Sequence, residues 1–143
     1  MAQEISVEQV PAYVVWPIRQ KVMYPTSAIS EVMLKDDGEG IHFALFHENE
    51  LSSVVSVFFQ GSKLQLRKFA TINTKQRMGF GSALLNYVIN FARQENIPLI
   101  WCNARRNATS FYKKFGFVER EKRYELNGIE YVKMDLLISR HTR

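Results

Sequence analysis

The hydrophobic pattern of the chain changes period at one glycine-containing segment, and this change constrains the fold more than any other feature. The residues before it, 41–71, are rich in the apolar and β-branched side chains that form strands. After it, apolar side chains recur at helical spacing: Phe80, Leu84, Val88 and Phe91. Polar residues occupy the opposite stripe, which is typical of an amphipathic helix packed on a core. The sequence therefore predicts a strand, a glycine loop and a helix in direct succession.

Three successive strands are predicted directly before the glycine loop. Residues 41–46 and 51–59 are separated by the polar residues 47–50, as a hairpin loop would separate them. A turn over residues 60–63 leads to a third strand over residues 64–71. Such short connections predict antiparallel neighbours.

The third strand changes its apolar phase part of the way along. Leu64 and Leu66 occupy even positions, whereas Phe69 and Thr71 continue in odd positions. A slip of one residue moves side chains to the other face of a sheet unless a β-bulge absorbs it. The pattern predicts a bulge near residues 67–68, although a strand that ends at Leu66 fits the pattern nearly as well.

The first forty residues carry weaker signals. Residues 2–7 fit a short strand, and the helical spacing that follows predicts a helix. The apolar positions of that helix are Val7, Val10, Val14, Ile18 and Val22. Pro17 should kink the helix, and the residue before Pro25 should end it. Residues 25–40 show little periodicity and include a turn cluster at 36–40.

The chain after the amphipathic helix alternates between strand and helix signals. Residues 99–102 fit a short buried strand, and a second helix is predicted within residues 105–115, capped by Gly116. A closing hairpin is predicted over residues 123–136, because Asn-Gly at 127–128 is the strongest two-residue hairpin signal. The predicted fold class is a mixed α/β or α+β domain with mostly antiparallel strands.

Size and composition fit one globular domain over residues 1–143. With 46% hydrophobic content, a chain of 143 residues can bury a core without a metal or a disulfide. Cys102 is its single cysteine, which excludes an internal disulfide and a cysteine metal cage. No apolar run reaches the roughly 18 residues of a membrane helix, and the N-terminus lacks a signal-peptide pattern. We therefore expect a soluble, cytoplasmic protein without a membrane partner.

The segment at residues 74–82 has the features of an anion-binding loop. Its glycines let the backbone approach a ligand, and the following helix begins with unpaired N–H groups. Together these favour phosphate or pyrophosphate, and Lys75 and Arg77 add positive charge. A Walker A loop is excluded because no Gly-Lys pair follows, and a dinucleotide fingerprint because Leu84 replaces its third glycine. From the loop alone, a tight strand-to-helix turn without a ligand fits equally well.

A second segment of polar and aromatic residues lies at positions 104–117. Within it, Tyr112 lies on the predicted short helix between polar and apolar neighbours. A tyrosine hydroxyl can act as a general acid when it reaches the leaving group. A core ring with its hydroxyl at the surface is the more common role of an isolated tyrosine.

The two segments together resemble the GNAT family of acyl-CoA-dependent N-acetyltransferases. The family's loop, Gln/Arg-x-x-Gly-x-Gly/Ala, is matched by Gln76, Gly79 and Gly81. Its later signature, Ala-x-x-x-Tyr-x-x-x-Gly-Phe, is matched by Ala108, Tyr112, Gly116 and Phe117. The preceding strand, the long helix and the interval between the motifs also match, so the resemblance is specific over residues 64–117.

The resemblance implies a fold, a cofactor loop and a mechanism. The fold is a central mixed, mostly antiparallel sheet with flanking helices, in which the strand before the loop splays from its parallel neighbour. Backbone groups of Phe69 and Thr71 are implied to hold the acetyl group and pantetheine arm, with the Phe69 N–H aimed at the oxygen that gains charge. Tyr112 is implied to protonate the departing thiolate. The pyrophosphate of acetyl-CoA, the acyl donor, is implied to bind at Gln76, Arg77, Met78, Gly79, Phe80, Gly81 and Ser82.

One position departs from the family pattern. Many members carry an asparagine seven residues before the tyrosine, where it contacts the cofactor. This chain has Arg105 at that position, and Asn107 is two residues out of register. Arg105 could pair with a cofactor phosphate or lie in solvent, and we expect it on the cofactor side.

The function implied by the resemblance is acetyl transfer from acetyl-CoA to a primary amine, without a metal ion. The acceptor would be a small-molecule or peptide amine, and a strand of the closing hairpin could pair two subunits. A non-catalytic acyl-CoA-binding sensor is the alternative function. Nucleic-acid binding is suggested by the net charge of +5, but the charges are scattered along the chain. The sequence does not assign the general base. The candidates are Glu31, His42, Glu48, Glu50 and a water chain.

Overall fold

A computed structural model describes residues 4–139, which fall into two compact units. The first unit holds the described residues up to 58 and residues 68–88. The second unit holds residues 59–67 and the described residues from 89 onward.

The described residues form one mixed sheet of eight strands, with short helices between them. The strands are β1 (Ile5–Val10), β2 (Ile41–His47), β3 (Glu50–Gln60), β4 (Lys63–Thr71), β5 (Leu99–Arg105), β6 (Val118–Glu119), β7 (Tyr124–Leu126) and β8 (Ile129–Leu137). The α-helices are α1 (Ala12–Ile18), α2 (Ile29–Val32), α3 (Phe80–Gln94) and α4 (Thr109–Lys113). Single turns of other helix types cover Arg19–Met23, Asp37–Glu39, Asn73–Lys75 and Arg106–Ala108. β4 and β5 pair in parallel. The antiparallel pairs are β1–β2, β2–β3, β5–β8, β6–β8 and β7–β8. These pairings confirm the predicted fold class, a mixed and mostly antiparallel sheet with helices.

The first unit is built around β1, β2 and β3, which pair in that order. The predicted hairpin between β2 and β3 is confirmed, because Glu48 and Asn49 take the left-handed conformations that a two-residue turn requires. α1 packs on this sheet through a small buried core. The core residues are Val15, Ile18, Ala44, Val54 and Ala70.

The predicted boundary between the first strand and the first helix is wrong. Val7 and Val10, expected on the helix, lie in β1 opposite Leu45 and His42 of β2. Their three-residue spacing also fits a helix, but pairing with β2 satisfies the backbone N–H and C=O groups instead. The strand that was predicted over residues 2–7 is therefore longer at its C-terminal end, and its first two positions lie outside the described residues.

α1 is consequently shorter than predicted. It begins directly after Pro11, contains Pro17 and passes into a π-helical turn over Arg19–Met23. Proline cannot donate the hydrogen bond of a helix interior, and a widened turn is one way in which a helix accommodates that interruption. The predicted end before Pro25 is confirmed, since Tyr24 caps the turn.

β4 carries the predicted irregularity. Lys68 has a φ of 56°, a left-handed conformation in the middle of a strand, at the position predicted for the bulge. The strand continues to Thr71, so the alternative in which it ends at Leu66 is wrong. The apolar phase beyond Lys68 differs from the prediction, because Ala70 is buried in the core while Phe69 is only half-buried.

α3 is the predicted amphipathic helix. Phe80, Leu84 and Val88 of its apolar stripe are buried, and Phe91 is half-buried. Burial of such side chains, at roughly 1.5–3 kcal/mol each, stabilises the helix more than its intrinsic propensity does. No helix within residues 4–139 is both long and apolar enough to cross a membrane.

In the second unit, β5 is longer than the predicted residues 99–102. Its antiparallel pairing with β8 continues as far as Arg105, which lies opposite Tyr131. Side chains alternate along it, so that Ile100, Cys102 and Ala104 are buried while the residues that alternate with them are half-buried or exposed. A run of four apolar residues could not reveal this extension, because the pairing partner lies some thirty residues further on.

The closing hairpin and the end of the second helix follow the predictions. Asn127 and Gly128 have φ values of 53° and 81°, as a two-residue turn between β7 and β8 requires. Gly116, with a φ of 97°, ends α4 as expected. β6 is not predicted from the sequence because two residues, Val118–Glu119, are too few to show a period.

Candidate functional site

The loop before α3 exposes its backbone. Residues 76–79 are all exposed, and α3 begins directly after them at Phe80. Arg77 and Gly79 have left-handed φ values of 66° and 84°. A Cβ built on Gly79 meets no atom within 4 Å, so open space lies beside this part of the loop. The first N–H groups of an α-helix have no intrahelical acceptor, and together with the helix dipole they favour an anion.

The side chain of Gln76 holds the loop in shape. Its Nε2 donates to the carbonyl oxygen of Thr71 at 3.2 Å and to Oδ1 of Asn73 at 3.1 Å. Oγ1 of Thr71 in turn lies 2.8 Å from Oγ of Ser53 on β3. Gln76 thus ties the end of β4 to the single turn that follows it, and a direct contact of Gln76 with a cofactor stays a prediction.

The two basic residues of the loop differ in their pairing. Nζ of Lys75 donates to Nδ1 of His47 at 2.9 Å and to Oε1 of Glu50 at 3.1 Å. The His47 ring also lies against Phe80, with 4.8 Å between the centroids. Within residues 4–139 no side chain pairs with the exposed Arg77 guanidinium. Lys75 therefore already has an acidic partner in Glu50, whereas Arg77 has none within residues 4–139.

The remaining residues predicted to bind the cofactor lie on either side of the loop. Phe69 and Thr71 are half-buried near the end of β4, and Met78 is exposed. Gly81 and Ser82 are half-buried in the first turn of α3. The first unit thus brings these residues together with the loop along one continuous stretch of chain, and their contacts with a cofactor stay predictions.

Tyr112 lies in the second unit, on α4, and only 7% of it is exposed. Its ring makes edge-on contacts with Phe111 and Phe117, whose centroids are 5.3 Å and 5.2 Å away. Its hydroxyl interacts with the thiol of Cys102 on β5, and each group affects the pKa of the other. Burial, assisted by Cys102, raises the pKa of Tyr112 above its ordinary value. The phenol therefore keeps its proton at neutral pH, which a general acid requires.

Cys102 is a buried thiol and not an activated one. Burial raises its pKa to about 12, against the opposing effect of the hydrogen bond from Tyr112. A thiol with this pKa is almost fully protonated at neutral pH and is a poor nucleophile. The contact between Cys102 and Tyr112 is not readable from the sequence, since it depends on how α4 packs against β5.

Arg105 lies at the end of β5, on the face opposite that of Cys102 and Ala104. It lines a cleft together with Arg106, Asn107 and the turn of the closing hairpin. Within the described part of the chain, no side chain pairs with its guanidinium.

Each side-chain candidate for the general base contacts another residue. Nε2 of the buried His42 donates to the carbonyl of Asp37 at 2.9 Å, so its Nδ1 accepts from the Ser56 hydroxyl at 2.7 Å. Oε1 of Glu31 accepts the N–H of Ala28 at 2.8 Å at the start of α2. Glu50 pairs with Lys75, whereas Glu48 is exposed in the hairpin turn, 4.0 Å from His47.

A buried polar network in the first unit is not predicted from the sequence. Arg19 is fully buried and makes a two-pronged ion pair with Asp37, with both N···O distances at 2.8 Å. It also donates to the carbonyl of Val32 at 3.0 Å and to Oγ of Ser56 at 2.8 Å. Nε1 of Trp16 donates to the same Asp37 carboxylate. Ser56, within the apolar run of β3, is the sequence signal that could have indicated a buried polar partner for this strand.

No three His, Cys, Asp or Glu side chains of the described residues lie close enough together to hold a metal ion.

Comparisons with known proteins assign the fold and the family. A family model described as an acetyltransferase (GNAT) domain matches residues 2–138. The chain is 26% identical over 123 residues to the "Uncharacterized N-acetyltransferase YitI" of Bacillus subtilis (strain 168), covering 80% of this chain and 83% of that protein. The structure of the ribosomal-protein-S18-alanine N-acetyltransferase from Escherichia coli is similar with a TM-score of 0.81 and 18% identity, covering 97% of each chain. A Bacillus subtilis acetyltransferase solved in complex with CoA gives a TM-score of 0.72 and 17% identity, covering 96% of this chain and all of that one.

At such identities the two solved structures establish the fold, a mostly antiparallel mixed sheet of the GNAT type. The family model spans nearly the whole chain. The protein is thus an enzyme of the N-acetyltransferase class, and it belongs to the GNAT acetyltransferase family.

Proposed function

We propose that this protein transfers an acetyl group from acetyl-CoA to a primary amine by direct attack. The observation that carries the proposal is the exposed loop before α3, where left-handed Arg77 and Gly79 leave backbone N–H groups open to an anion. Acetyl-CoA carries a pyrophosphate, which suits such a loop. The family match and a related fold solved with CoA support the same donor.

Binding of the donor would depend mainly on backbone groups. The N–H groups of residues 77–82 would hold the pyrophosphate, and the Arg77 guanidinium would add an uncompensated positive charge. Gln76 would keep the loop in this conformation through its bonds to Thr71 and Asn73. Backbone groups of Phe69 and Thr71 would contact the pantetheine arm and the acetyl group.

The transfer needs a nucleophile, an oxyanion donor and an acid. The neutral amine forms a bond to the carbonyl carbon, and the carbon–sulfur bond then breaks. The proton that the amine loses passes to water, and Tyr112 regains from water the proton that it gives to the thiolate. The Phe69 N–H would steady the oxygen that gains negative charge. Tyr112 would give its proton to the thiolate, since a phenol is protonated at neutral pH and can act as a general acid.

The whole chain would act as one acetyltransferase domain, because the family model leaves out only its first residue and its last five. The acceptor would be a small amine or a peptide amine. The transfer itself needs no metal ion, since an amine is nucleophilic without activation by a metal.

Thiol release from acetyl-CoA in the presence of a panel of amines tests the proposal. We expect thiol release above the amine-free rate with at least one amine, accompanied by formation of the corresponding amide. The amine-free reaction is the control for simple thioester hydrolysis. Tight binding of acetyl-CoA without amine-dependent thiol release would instead favour the acyl-CoA-binding sensor.

A further inference from the structure

We infer that a cleft in the second unit binds a carboxylate of the acceptor amine; this inference rests on the proposed function. The cleft has a volume of about 510 Å³. It lies between the end of β5, with the turn that follows, and the tip of the β7–β8 hairpin. We name it the arginine cleft after the first two of its lining residues: Arg105, Arg106, Asn107, Gly128, Ile129 and Glu130.

Both walls of the arginine cleft are held by backbone structure. Arg105 ends β5, where it pairs with Tyr131 of β8. The opposite wall is the tight turn at Gly128, and a Cβ built there meets no atom within 4 Å, so the turn leaves the mouth of the cleft open. The two walls therefore come from backbone elements, and the side chains of Arg105 and Arg106 supply the charge of the cleft.

The arginine cleft carries an unbalanced positive charge. Within residues 4–139 no acidic side chain pairs with Arg105. Arg106 lies 3.5 Å from Glu130, but its side chain is 73% exposed, and Glu130 is shared with Arg123 at 3.7 Å. An ion pair this exposed is weak and exchanges readily with another anion. The two arginines against one glutamate leave the lining with a net charge of +1.

A carboxylate fits this lining better than a neutral or cationic group does. A guanidinium presents two parallel N–H donors that match the two oxygens of a carboxylate. The exposed Asn107 amide offers a further donor beside them. A cation would be repelled by the two arginines, and a neutral ligand would leave Arg105 unpaired.

Strand alternation favours the acceptor over the donor as the source of this anion. Arg105 lies on the face of β5 opposite Cys102, and Cys102 is the residue that Tyr112 contacts. If Tyr112 protonates the thiolate, the donor's thiol end lies on the Cys102 face. An acceptor whose amine reaches the reacting carbon and whose chain extends to the opposite face of β5 would bring its carboxylate to Arg105. Arg105, which the sequence leads us to expect on the cofactor side, would then lie on the acceptor side.

Matched pairs of acids and amides test the inference in the intact protein. The probes are glycine, 3-aminopropanoate, 4-aminobutanoate and 5-aminopentanoate, each beside its primary amide. The series spans several distances between amine and carboxylate. We expect kcat/KM for at least one acid to exceed that for its amide about tenfold, the size expected for a charge-assisted hydrogen bond that is partly exposed.

Variants show whether the cleft causes the preference. Arg105→Ala and Arg106→Ala should remove the preference for the acid and leave the KM for acetyl-CoA unchanged. Glu130→Gln should strengthen the preference, because it removes the carboxylate that competes for Arg106. Arg93→Ala removes the same charge from α3, where the side chain donates to Asn90, and should change neither value.

Three results would overturn the inference. The first is equal use of acids and amides by the unaltered protein. The second is a preference that survives in both arginine variants. The third is weaker binding of CoA but not of dephospho-CoA by Arg105→Ala, which would make the bound anion a phosphate of the donor.

Absence of turnover with every amine would contradict the proposed function for these acceptors, and the inference would then be judged by binding. In the presence of CoA, a rise in melting temperature caused by the acids but not by the amides, and lost in Arg105→Ala, would support it. No rise with any acid would overturn it.

Discussion

At the scale of single residues, arginine has three different environments in this protein. Arg19 is buried and makes a two-pronged ion pair with Asp37. Arg77 is exposed in the loop before α3, and Arg105 lines the arginine cleft. Within the described residues, neither of these two has an acidic partner. Burying an arginine without a partner is costly, so Arg19 is a structural residue, whereas the other two have charge to offer a ligand.

Tyr112 is the residue on which the proposed chemistry depends most. Tyr112→Phe keeps the ring and its contacts with Phe111 and Phe117 but removes the proton that the thiolate would receive. We expect turnover to fall roughly a hundredfold, within the range for loss of a general acid. The Kd for acetyl-CoA, measured by calorimetry, should stay nearly unchanged.

Tyr87→Phe is the matched control for Tyr112→Phe, because Tyr87 lies partly exposed on α3 and makes a ring contact with Phe43. Its turnover should equal that of the unaltered protein. Equal turnover in Tyr112→Phe would remove Tyr112 from the mechanism.

At the scale of elements, the parts predicted correctly are those set by neighbouring residues. The hairpin at Asn127–Gly128, the end of α4 at Gly116 and the amphipathic α3 each depend on a few adjacent side chains. The boundary between β1 and α1 is mispredicted because Val7 and Val10 fit both periods, and pairing with a distant strand decides between them. The motifs give the positions of the candidate site, but its tertiary contacts are not readable from them.

The loop before α3 illustrates that limit. Lys75 and Gln76 fit a ligand-binding loop equally well from the sequence. In the structure the charge of Lys75 is taken up by Glu50, and Gln76 bonds the backbone of β4. Both partners belong to other elements of the fold, and so a motif cannot reveal them.

The end of α4 depends on the glycine that follows it. Gly116 has a φ of 97°, and a Cβ there would lie 3.2 Å from Cδ1 of Leu136. We expect Gly116→Ala to lower the free energy of unfolding by about 1–2 kcal/mol, the usual cost of a left-handed conformation with a Cβ. Urea unfolding measures the change.

Gly38→Ala is the control for this prediction. Its added Cβ meets nothing within 4 Å and its backbone is not left-handed, so the free energy of unfolding should be unchanged or slightly higher. A Gly116→Ala protein as stable as the unaltered one would contradict the account of this helix end.

At the scale of the whole molecule, one buried carboxylate gives the stability a defined response to acid. Burial acts to raise the pKa of Asp37, but hydrogen bonds from Arg19, the Leu34 N–H and Trp16, together with the charge of Arg19, outweigh it and lower the pKa to about 2. Because the pKa is lower in the folded state than its ordinary 3.8, protonation favours the unfolded state. The stabilisation is complete above about pH 4 and disappears as the pH falls through about 2.

Urea unfolding between pH 5 and pH 2 measures this dependence. Asp37 should contribute about 2 kcal/mol to the loss of stability over that interval. Asp37→Asn, which has no charge to lose, should show a flatter pH dependence and a lower stability at neutral pH. Glu39→Gln removes an exposed carboxylate two residues away and should keep the original dependence. An unchanged pH dependence in Asp37→Asn would show that Arg19 does not stabilise the Asp37 carboxylate as described.

Donor binding is the central claim of the account, because both the transfer reaction and the arginine cleft depend on it. The most direct measurement is a thermal-shift titration with acetyl-CoA, run beside CoA, ATP and NAD. At a hundred times its Kd a ligand stabilises a protein by about 2.7 kcal/mol, which raises the melting temperature of a domain of this size by roughly 5–10 °C. We predict that rise with acetyl-CoA and CoA but not with NAD. No rise at saturating acetyl-CoA would contradict the account, and the loop before α3 would then be a turn without a ligand.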